Sequence, residues 1–431
     1  VTSERPVSGE PGEQPVSGPG RESVDVLIVG AGPAGSTAAA WAARAGREVL
    51  LIDRAEFPRD KTCGDGLTPR AIAELDRLGL GSWVRTLHTQ DGLDLTVFGR
   101  GYPLRWPEGP FPAVTAAVPR LEFDARLLDE AIGSGAVFRG GVRVSDVLTD
   151  ASGRVTLVRT ADGGEIGCRV LLVADGAGSP VGNKLGRKWL RDKMYAVAAR
   201  SYMTSARGDE KMLTVAVGAG RGDAVMTPGY GWLFPLGDGR VNVGYGAMVS
   251  DELPLPGSSR SLHDAFIEQM RDRWQLVGDP ENYAAAPLSI GGMVENIAGP
   301  NWMLIGDAAC GTNPVTGEGI DFAMESARHA VDMLGAAADY TRVWPALLQE
   351  LYAAPLAAER KIIRAIGMHP RLGRQLVPLL MSHGWRGRFV LRSAANLVAD
   401  DDKDAAARLF RLVGRVSERS ERPIFGHSNV K

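Results

Sequence analysis

Apolar and polar positions divide this chain into stretches of different character. Residues 1–23 are mainly Pro, Gly, Ser and Glu, and PVSG occurs there twice, from Pro6 and from Pro15. A stretch with so little to bury predicts a disordered tail. Residues 24–29 form a short apolar run, 34–45 are Ala-rich with helical patterning, and 48–53 enclose a second apolar run between Glu48 and Asp53. Gly46 ends the helix, so the stretch predicts a strand, a helix and a second strand. Its apolar content resembles a membrane span, but Gly30, Gly32, Pro33 and Gly35 fall together inside it. That cluster fits a tight turn better.

Residues 54–119 are mixed, and 121–132 have the spacing of an amphipathic helix. Strand-like runs follow around Val142, around Val155 and over 170–174. From 186 to 294, turns alternate with β-rich runs such as 212–217 and 240–246, which predicts an antiparallel sheet carrying substrate contacts. Residues 302–305 return to the apolar pattern of the first unit, and from about Val331 the chain reads as mainly helical. A chain of 431 residues has material for more than one domain. The expected class is α/β. A discontinuous nucleotide-binding domain is expected from 24–60, 120–185 and 295–340. A substrate domain is expected from 61–119 and 186–294, and a helical C-terminal region from 341–431.

Gly30-Ala31-Gly32-Pro33-Ala34-Gly35 lies between the first predicted strand and helix. Its glycines permit a sharp turn and a close approach of backbone to a pyrophosphate, whose charge the helix N-terminus favours. Asp53 ends the next strand, at the offset of about 20 residues that suits an adenosine ribose hydroxyl. A second glycine-rich segment lies far downstream, LIGDAACGTNPVTGEGIDFAMESA at 304–327. Asp307 follows an apolar strand there and can reach a ribityl hydroxyl, the alternative being a helix N-cap. The loop 314–319 precedes a helix beginning near Ile320, where backbone N–H groups can stabilise the negative charge of a reduced flavin. Two such loops in this order predict one long cofactor held at both ends, FAD. Asp175, in VLLVADGAGSP at 170–180, lies either beside that cofactor or in an ordinary turn.

Lys and Arg total 49 against 51 Asp and Glu. That balance gives no case for nucleic-acid binding. Cys63, Cys168 and Cys310 make neither a disulfide framework nor a zinc cluster, and they fit a reducing cytoplasm. The N-terminus lacks the apolar core of a secretory signal. The histidines have no metal-ligand spacing, so no metal is predicted.

FPRDKTCGDG at 57–66, TPGYGWLFPL at 227–236 and GDAACGTNPVTGEGI at 306–320 resemble the flavin-dependent geranylgeranyl reductase family. That family lies within the larger group containing para-hydroxybenzoate hydroxylase. The likeness runs from about Val24 to the C-terminus. The YxWxFP pattern of Tyr230, Trp232, Phe234 and Pro235 is fairly specific to the family. DKTCGDGLTPRAIAEL, NWMLIGDAA and VADDDKD are most similar to its actinobacterial branch, which saturates one isoprene unit of the menaquinone tail. The resemblance implies an FAD-binding Rossmann-like domain of the para-hydroxybenzoate hydroxylase type. It also implies a polyprenyl quinone or prenyl-lipid substrate and reduction of a carbon–carbon double bond. FAD contacts are implied for Pro33, Ala34, Gly35, Ser36, Asp53, Cys63, Gly64, Asp65, Gly66, Arg120, Val144, Asp307, Gly319 and Ile320. Cys310 departs from the family, where a small residue is usual, and is expected to narrow the space near the flavin.

An isolated alkene carries no electron-withdrawing group, so hydride addition to one carbon needs a proton donor for the other. Cys63, between Lys61 and the flexible Gly64-Asp65-Gly66, is the first candidate for a role there; alternatively it packs against the flavin as a small apolar side chain. Tyr230, Trp232 and Phe234 share one side of an extended run, as a prenyl-tunnel wall or as ordinary core. Arg120 is either a cofactor contact or a solvated charge. Residues 361–399 carry seven basic residues and no acid, with Ile362, Leu376, Trp385, Phe389, Val390 and Leu391 among them. This predicts contact with an anionic bilayer at the inner face of the cell membrane, or else a helical cap with a solvated basic rim. The acids 400–402 predict a turn or a helix start. Competing functions on the same scaffold are a flavin monooxygenase or halogenase and a prenyl-lipid carrier. Against the halogenase, YGWLFPL stands where WxWxIP is expected. No second nucleotide fingerprint identifies the electron donor.

Overall fold

Five parallel strands at the centre of the molecule end in step. In the computed structural model, which describes residues 22–97, 99–218, 229–252, 254–368, 375, 384–398, 402–419 and 424–426, the order across this sheet is Ala298–Gly299, Trp302–Leu304, Glu165–Val173, Glu22–Val29, Val49–Ile52 and Val137–Arg139. All neighbours but the first pair run parallel. Val155–Thr160 and Val144–Thr149 extend the sheet as an antiparallel branch. Val29 stands opposite both Ile52 and Val173, and Val173 opposite Leu304. The chain therefore leaves the sheet at Gly30, Asp53, Ala174 and Ile305 along one edge, where ligands of open α/β sheets bind.

The sequence makes this sheet because its strands are apolar on both faces, as parallel strands covered by helices must be. Leu27, Ile28, Leu50, Leu51, Ile52, Leu171 and Leu172 are buried, each worth about 1.5–3 kcal/mol in transfer from water. Helix Pro33–Arg44 buries Ala38, Ala39, Ala40 and Ala42. Helix Ile320–Asp332 lies against it, and the turn at Gly306 fits between the two: a Cβ there would stand 2.8 Å from the Ala34 methyl and 3.4 Å from that of Ala323. Of the predicted tail, 1–21 lie outside the described residues. Glu22 and Ser23 instead begin the first strand, pairing with Ile166 and Gly167, and the Glu22 carboxylate meets Arg139 at 2.6 Å.

A seven-stranded sheet runs Leu276–Leu288, Tyr195–Ser205, Arg240–Val249, Gly229–Pro235, Met212–Val217, Gly92–Val97 and Arg100–Arg105. It departs from the all-antiparallel expectation at one place, where Met212–Val217 runs parallel to Gly92–Val97. No hairpin can join strands so far apart in the chain, so their direction is free of a turn's constraint. Helix Ser259–Trp274 covers one face, and Phe266 presses on Gly231, where a Cβ would lie 2.3 Å from the ring. The other face looks toward the first sheet. Helices Tyr340–Met368, Gly384–Ala394 and Ala405–Glu418 close the C-terminal side. The last is capped by Asp404, whose Oδ1 accepts from Ala407 N at 2.7 Å. Asp402 instead pairs with Arg392, and the other acids of the 400–402 run, with Leu376, lie outside the described residues.

Candidate functional site

Between the two sheets lies one cavity of about 1380 Å³. Small-molecule pockets commonly hold about 300–1,000 Å³, so there is room for more than one ligand. The structure brings most of the expected residues to its wall: Gly30, Gly32, Pro33, Ala34, Asp53, Cys63, Gly64, Gly66, Arg120, Val144, Asp175, Tyr230, Trp232, Phe234, Asp307, Gly319 and Ile320. Gly35, Ser36, Asp65 and Cys310 are not on that wall.

At the nucleotide end the contacts are made by backbone. Gly30 has φ +103°, and a Cβ there would lie 2.3 Å from the Ala174 carbonyl oxygen. A Cβ on Gly35 would lie 1.7 Å from the Gly30 oxygen, and Ser36 Oγ donates to Ala31 O at 3.0 Å. These two residues hold the turn from behind, which is why they do not face the cavity. Gly32, by contrast, opens outward, where a Cβ would meet only guanidinium nitrogens, Arg59 at 3.5 Å and Arg120 at 4.0 Å. No side chain caps the helix that starts at Pro33, so its first N–H groups face an anion site flanked by two arginines. Asp53 is fixed by the same loop, accepting from Ala31 N at 2.7 Å and Ala55 N at 2.8 Å.

Arg120 is buried, which removes the solvated-charge reading. Its Nε and Nη2 grip Asp124 at 2.6 and 2.7 Å, and Arg59 shares that carboxylate at 2.7 Å. Asp175 is largely spent on a turn, accepting from Ser179 Oγ at 2.6 Å and Val181 N at 2.8 Å. It touches the cavity, but both its oxygens serve the short helix Pro180–Lys184.

At the other end Asp307 lies in the turn Gly306–Ala309 and accepts from Thr312 Oγ1 at 3.1 Å. Gly319 caps helix Ile320–Asp332 without any side-chain bond, so a second uncapped helix N-terminus faces the same cavity. A Cβ on Gly319 would lie 2.7 Å from Thr312 Oγ1. Cys310 corrects an expectation. It adopts φ +58°, which turns its buried thiol away from the cavity to accept from Arg187 Nη2 at 3.2 Å. It therefore does not narrow the cofactor space.

The Cys63 loop lies against the seven-stranded sheet. Tyr230, Trp232 and Phe234 alternate onto the cavity face, with ring centroids 6.0 and 6.4 Å apart. Trp232 stands over Gly244, where a Cβ would be 2.1 Å away. Gly64 and Gly66 let the loop touch the Trp232 and Phe234 rings, at 3.2 and 3.0 Å from where a Cβ would sit. Asp65 lies off the cavity wall and holds its loop in place. Its φ of +64° turns the side chain into the sheet, where Oδ2 accepts from Tyr202 Oη at 2.7 Å and Asn242 Nδ2 at 2.8 Å. Asn242 also donates to the Cys63 carbonyl at 3.0 Å and accepts from Trp232 Nε1 at 2.8 Å. One amide thus ties the cysteine loop to the aromatic wall. Burial pushes the Cys63 thiol up, against the opposing pull of Arg120, so Cys63 holds its proton. Burial, followed by Arg120, lowers Lys61.

Sequence reasoning missed several buried groups here. Glu318 lines the cavity and receives the Thr68 hydroxyl. Burial, then the neighbouring Asp321, raises its carboxyl well above the usual range. Glu359 also reaches the wall, and its Oε1 accepts from Asn313 at 3.0 Å, steadying the loop that carries Thr316. The Tyr230 hydroxyl donates to the Thr316 carbonyl. The glutamate of the late VTGEG motif, Glu318 between Gly317 and Gly319, was the one available signal. From the C-terminal region, Phe389, Val390 and Leu391 face the cavity. Among the described residues no cluster of His, Cys, Asp and Glu is arranged to hold a metal.

The residues fit FAD: two uncapped helix N-termini, two arginines and two aspartates face one cavity from ends far apart in the chain. A family described as FAD binding domain matches residues 23–343. A menaquinone reductase of Mycolicibacterium smegmatis is 45% identical over 402 residues, covering 93% of this chain and 98% of that protein. A digeranylgeranylglycerophospholipid reductase of Methanopyrus kandleri is 30% identical, covering 71% and 79%. Among solved structures, a geranylgeranyl bacteriochlorophyll reductase-like protein from Thermoplasma acidophilum superposes with a TM-score of 0.76 at 22% identity, covering 91% of this chain and 100% of that one. At that identity the last likeness speaks for the fold.

Proposed function

This chain belongs to the FAD binding domain family, within its geranylgeranyl reductase group, and from that membership we propose that it is an FAD-dependent reductase of a carbon–carbon double bond in a polyprenyl chain, one isoprene unit of menaquinone. The observation that carries the reading is the shared cavity. Its one wall has the glycine loops and charged groups for a dinucleotide, and its other wall is aromatic and aliphatic. When bound, FAD supplies the hydride for one alkene carbon. The remaining tasks fall to side chains. Tyr230, Trp232 and Phe234 exclude water and orient the hydrocarbon. Cys63 presents a neutral thiol to the cavity, able to hold a proton for the other carbon, and Asn242 and Asp65 fix its loop.

A substrate of this class resides in a bilayer, so we place the protein at the inner face of the cell membrane, in contact with it. No described helix is long and apolar enough to cross a membrane. The electron donor is a separate partner. The test is anaerobic incubation of reduced, FAD-loaded protein with menaquinone, followed by mass spectrometry of the quinone. Gain of one hydrogen pair in the tail is expected. In a parallel incubation under labelled oxygen gas, label in the product points instead to a monooxygenase, and a protein that stays colourless after FAD addition points to a lipid carrier.

A further inference from the structure

Helix Ala405–Glu418 has two apolar stripes, and the fold uses one. Ala407, Phe410, Gly414 and Ser417 are buried, and a Cβ on Gly414 would lie 2.8 Å from the Ala354 carbonyl oxygen of helix Tyr340–Met368. The other stripe faces outward: Leu409 is 51% exposed, Leu412 53%, Val413 39% and Val416 58%. Their spacing of i, i+3, i+4 and i+7 puts them on one face. The other large exposed apolar side chains, such as Leu121, Val137 and Val277, are scattered over separate elements, as is ordinary.

Charge and the cavity give this face its direction. Arg408, Arg415 and Arg419 are exposed, and their spacing of seven and four places them in one row beside the stripe. The nearby acids sit at the helix ends. Asp404 is engaged as the cap and by Arg392, and Glu418 is half-buried. Leu409 and Val413 also line the cavity, as does Ile362, itself 43% exposed. A side chain that lines a cavity and is also exposed marks its opening. Exposed Arg54 and Arg143 line the same cavity beside Asp53, at its nucleotide end, and exposed Glu252, Pro254 and Pro256 line it too; Leu409, Val413 and Ile362 form an apolar stretch of its rim.

We propose that the outer face of helix Ala405–Glu418 is a docking surface for an anionic phospholipid bilayer. The apolar stripe enters the acyl boundary and the arginine row meets the phosphates. The cavity mouth then opens into the leaflet, and a polyprenyl chain enters without crossing water. The proposal rests on the polyprenyl reading of the cavity. It adds helix Ala405–Glu418 to the membrane contact expected of residues 361–399, of which Phe389, Val390 and Leu391 line the cavity and 369–374 and 376–383 lie outside the described residues.

The test is flotation of the full-length, FAD-loaded protein with phosphatidylcholine vesicles, with and without phosphatidylglycerol. The wild type is expected to float with anionic vesicles and to be released by salt. Leu412→Asp with Val416→Asp, two positions off the cavity wall, should lower binding by about tenfold or more. Replacing Arg408, Arg415 and Arg419 by Gln should lower it by on the order of 100-fold at low salt. Both variants should still reduce a detergent-dispersed prenyl quinone at the wild-type rate. Wild type that stays unbound to anionic vesicles, or variants that float as well as it does, overturns the proposal. So does a wild-type dimer that these substitutions dissociate without changing flotation, which assigns the face to a second copy of the chain. Detergent-phase reduction keeps the two readings apart. Reduction without flotation sinks the docking surface alone, and flotation lost in the variants without any reduction sinks the enzymatic reading alone.

Discussion

The two walls of the cavity are made in different ways. On the nucleotide wall backbone does the work: parallel register brings Gly30, Asp53, Ala174 and Ile305 to one edge, and glycines fit where no Cβ can. On the opposite wall side chains do it, with three alternating aromatic rings on a sheet face and a cysteine loop bonded to them through Asn242. The contrast teaches where tolerance lies. A backbone wall fails as a unit when one atom is added. A side-chain wall changes shape locally and keeps its cofactor.

The sharpest attempt to break this contrast is Gly35→Ala. The new methyl would lie 1.7 Å from the Gly30 carbonyl oxygen, a backbone atom fixed by the sheet. We expect loss of bound flavin and destabilisation of roughly 3 kcal/mol or more, read by flavin absorbance per protein and by thermal unfolding. A yellow variant of unchanged stability would remove the distinction between the walls.

Cys63→Ala comes next, on the other wall. Flavin content should stay near wild type, while turnover falls by about 100-fold or more, the range for loss of a proton-transfer group. Full turnover with flavin bound would leave Cys63 as packing only. Trp232→Leu should have a smaller effect. It enlarges the cavity and shifts the preference among prenyl chain lengths by about tenfold. It also leaves Asn242 Oδ1 without its donor, at about 1–3 kcal/mol of stability. Unchanged chain-length preference in competition assays would return Trp232 to ordinary core.

How much of this was legible in the sequence follows the same division. The glycine loop and Asp53 were readable because their geometry is local: a turn, a helix start and a strand end within one βαβ unit. The aromatic face was readable because alternation along a strand fixes sidedness. The side-chain bonds of Asp65 were not legible because its partners, Tyr202 and Asn242, are 137 and 177 residues away. Its positive φ turns it from the direction its neighbours take. Cys310 was misjudged for the same reason, since a left-handed residue does not follow the sidedness of its segment. The basic stretch 361–399 was recognised by composition, which does not say which helix face is already buried.

The smallest expected effect concerns Asp65 and sharpens the account of how the side-chain wall is held. Burial raises its carboxyl to about 6, against the lowering bonds from Tyr202 and Asn242 and the pull of Arg200 and Arg120. In the unfolded chain the same group titrates near the model-peptide value of about 3.9. Between these values the folded protein holds a proton that the unfolded chain has lost. The stabilising contribution of the protonated group is therefore complete below about pH 4 and is lost as pH rises through about 6. Asp65→Asn retains an acceptor for Tyr202 and Asn242 and places its amide where Oδ1 has no partner, and it cannot titrate. The variant should therefore gain on wild type by on the order of 1–3 kcal/mol as pH rises from 4 to 6.5, measured as the difference between their unfolding midpoints at each pH. A difference that stays constant over that interval would show that Asp65 enters the fold already ionised, and that the cysteine loop is tied to the aromatic wall by a charged group.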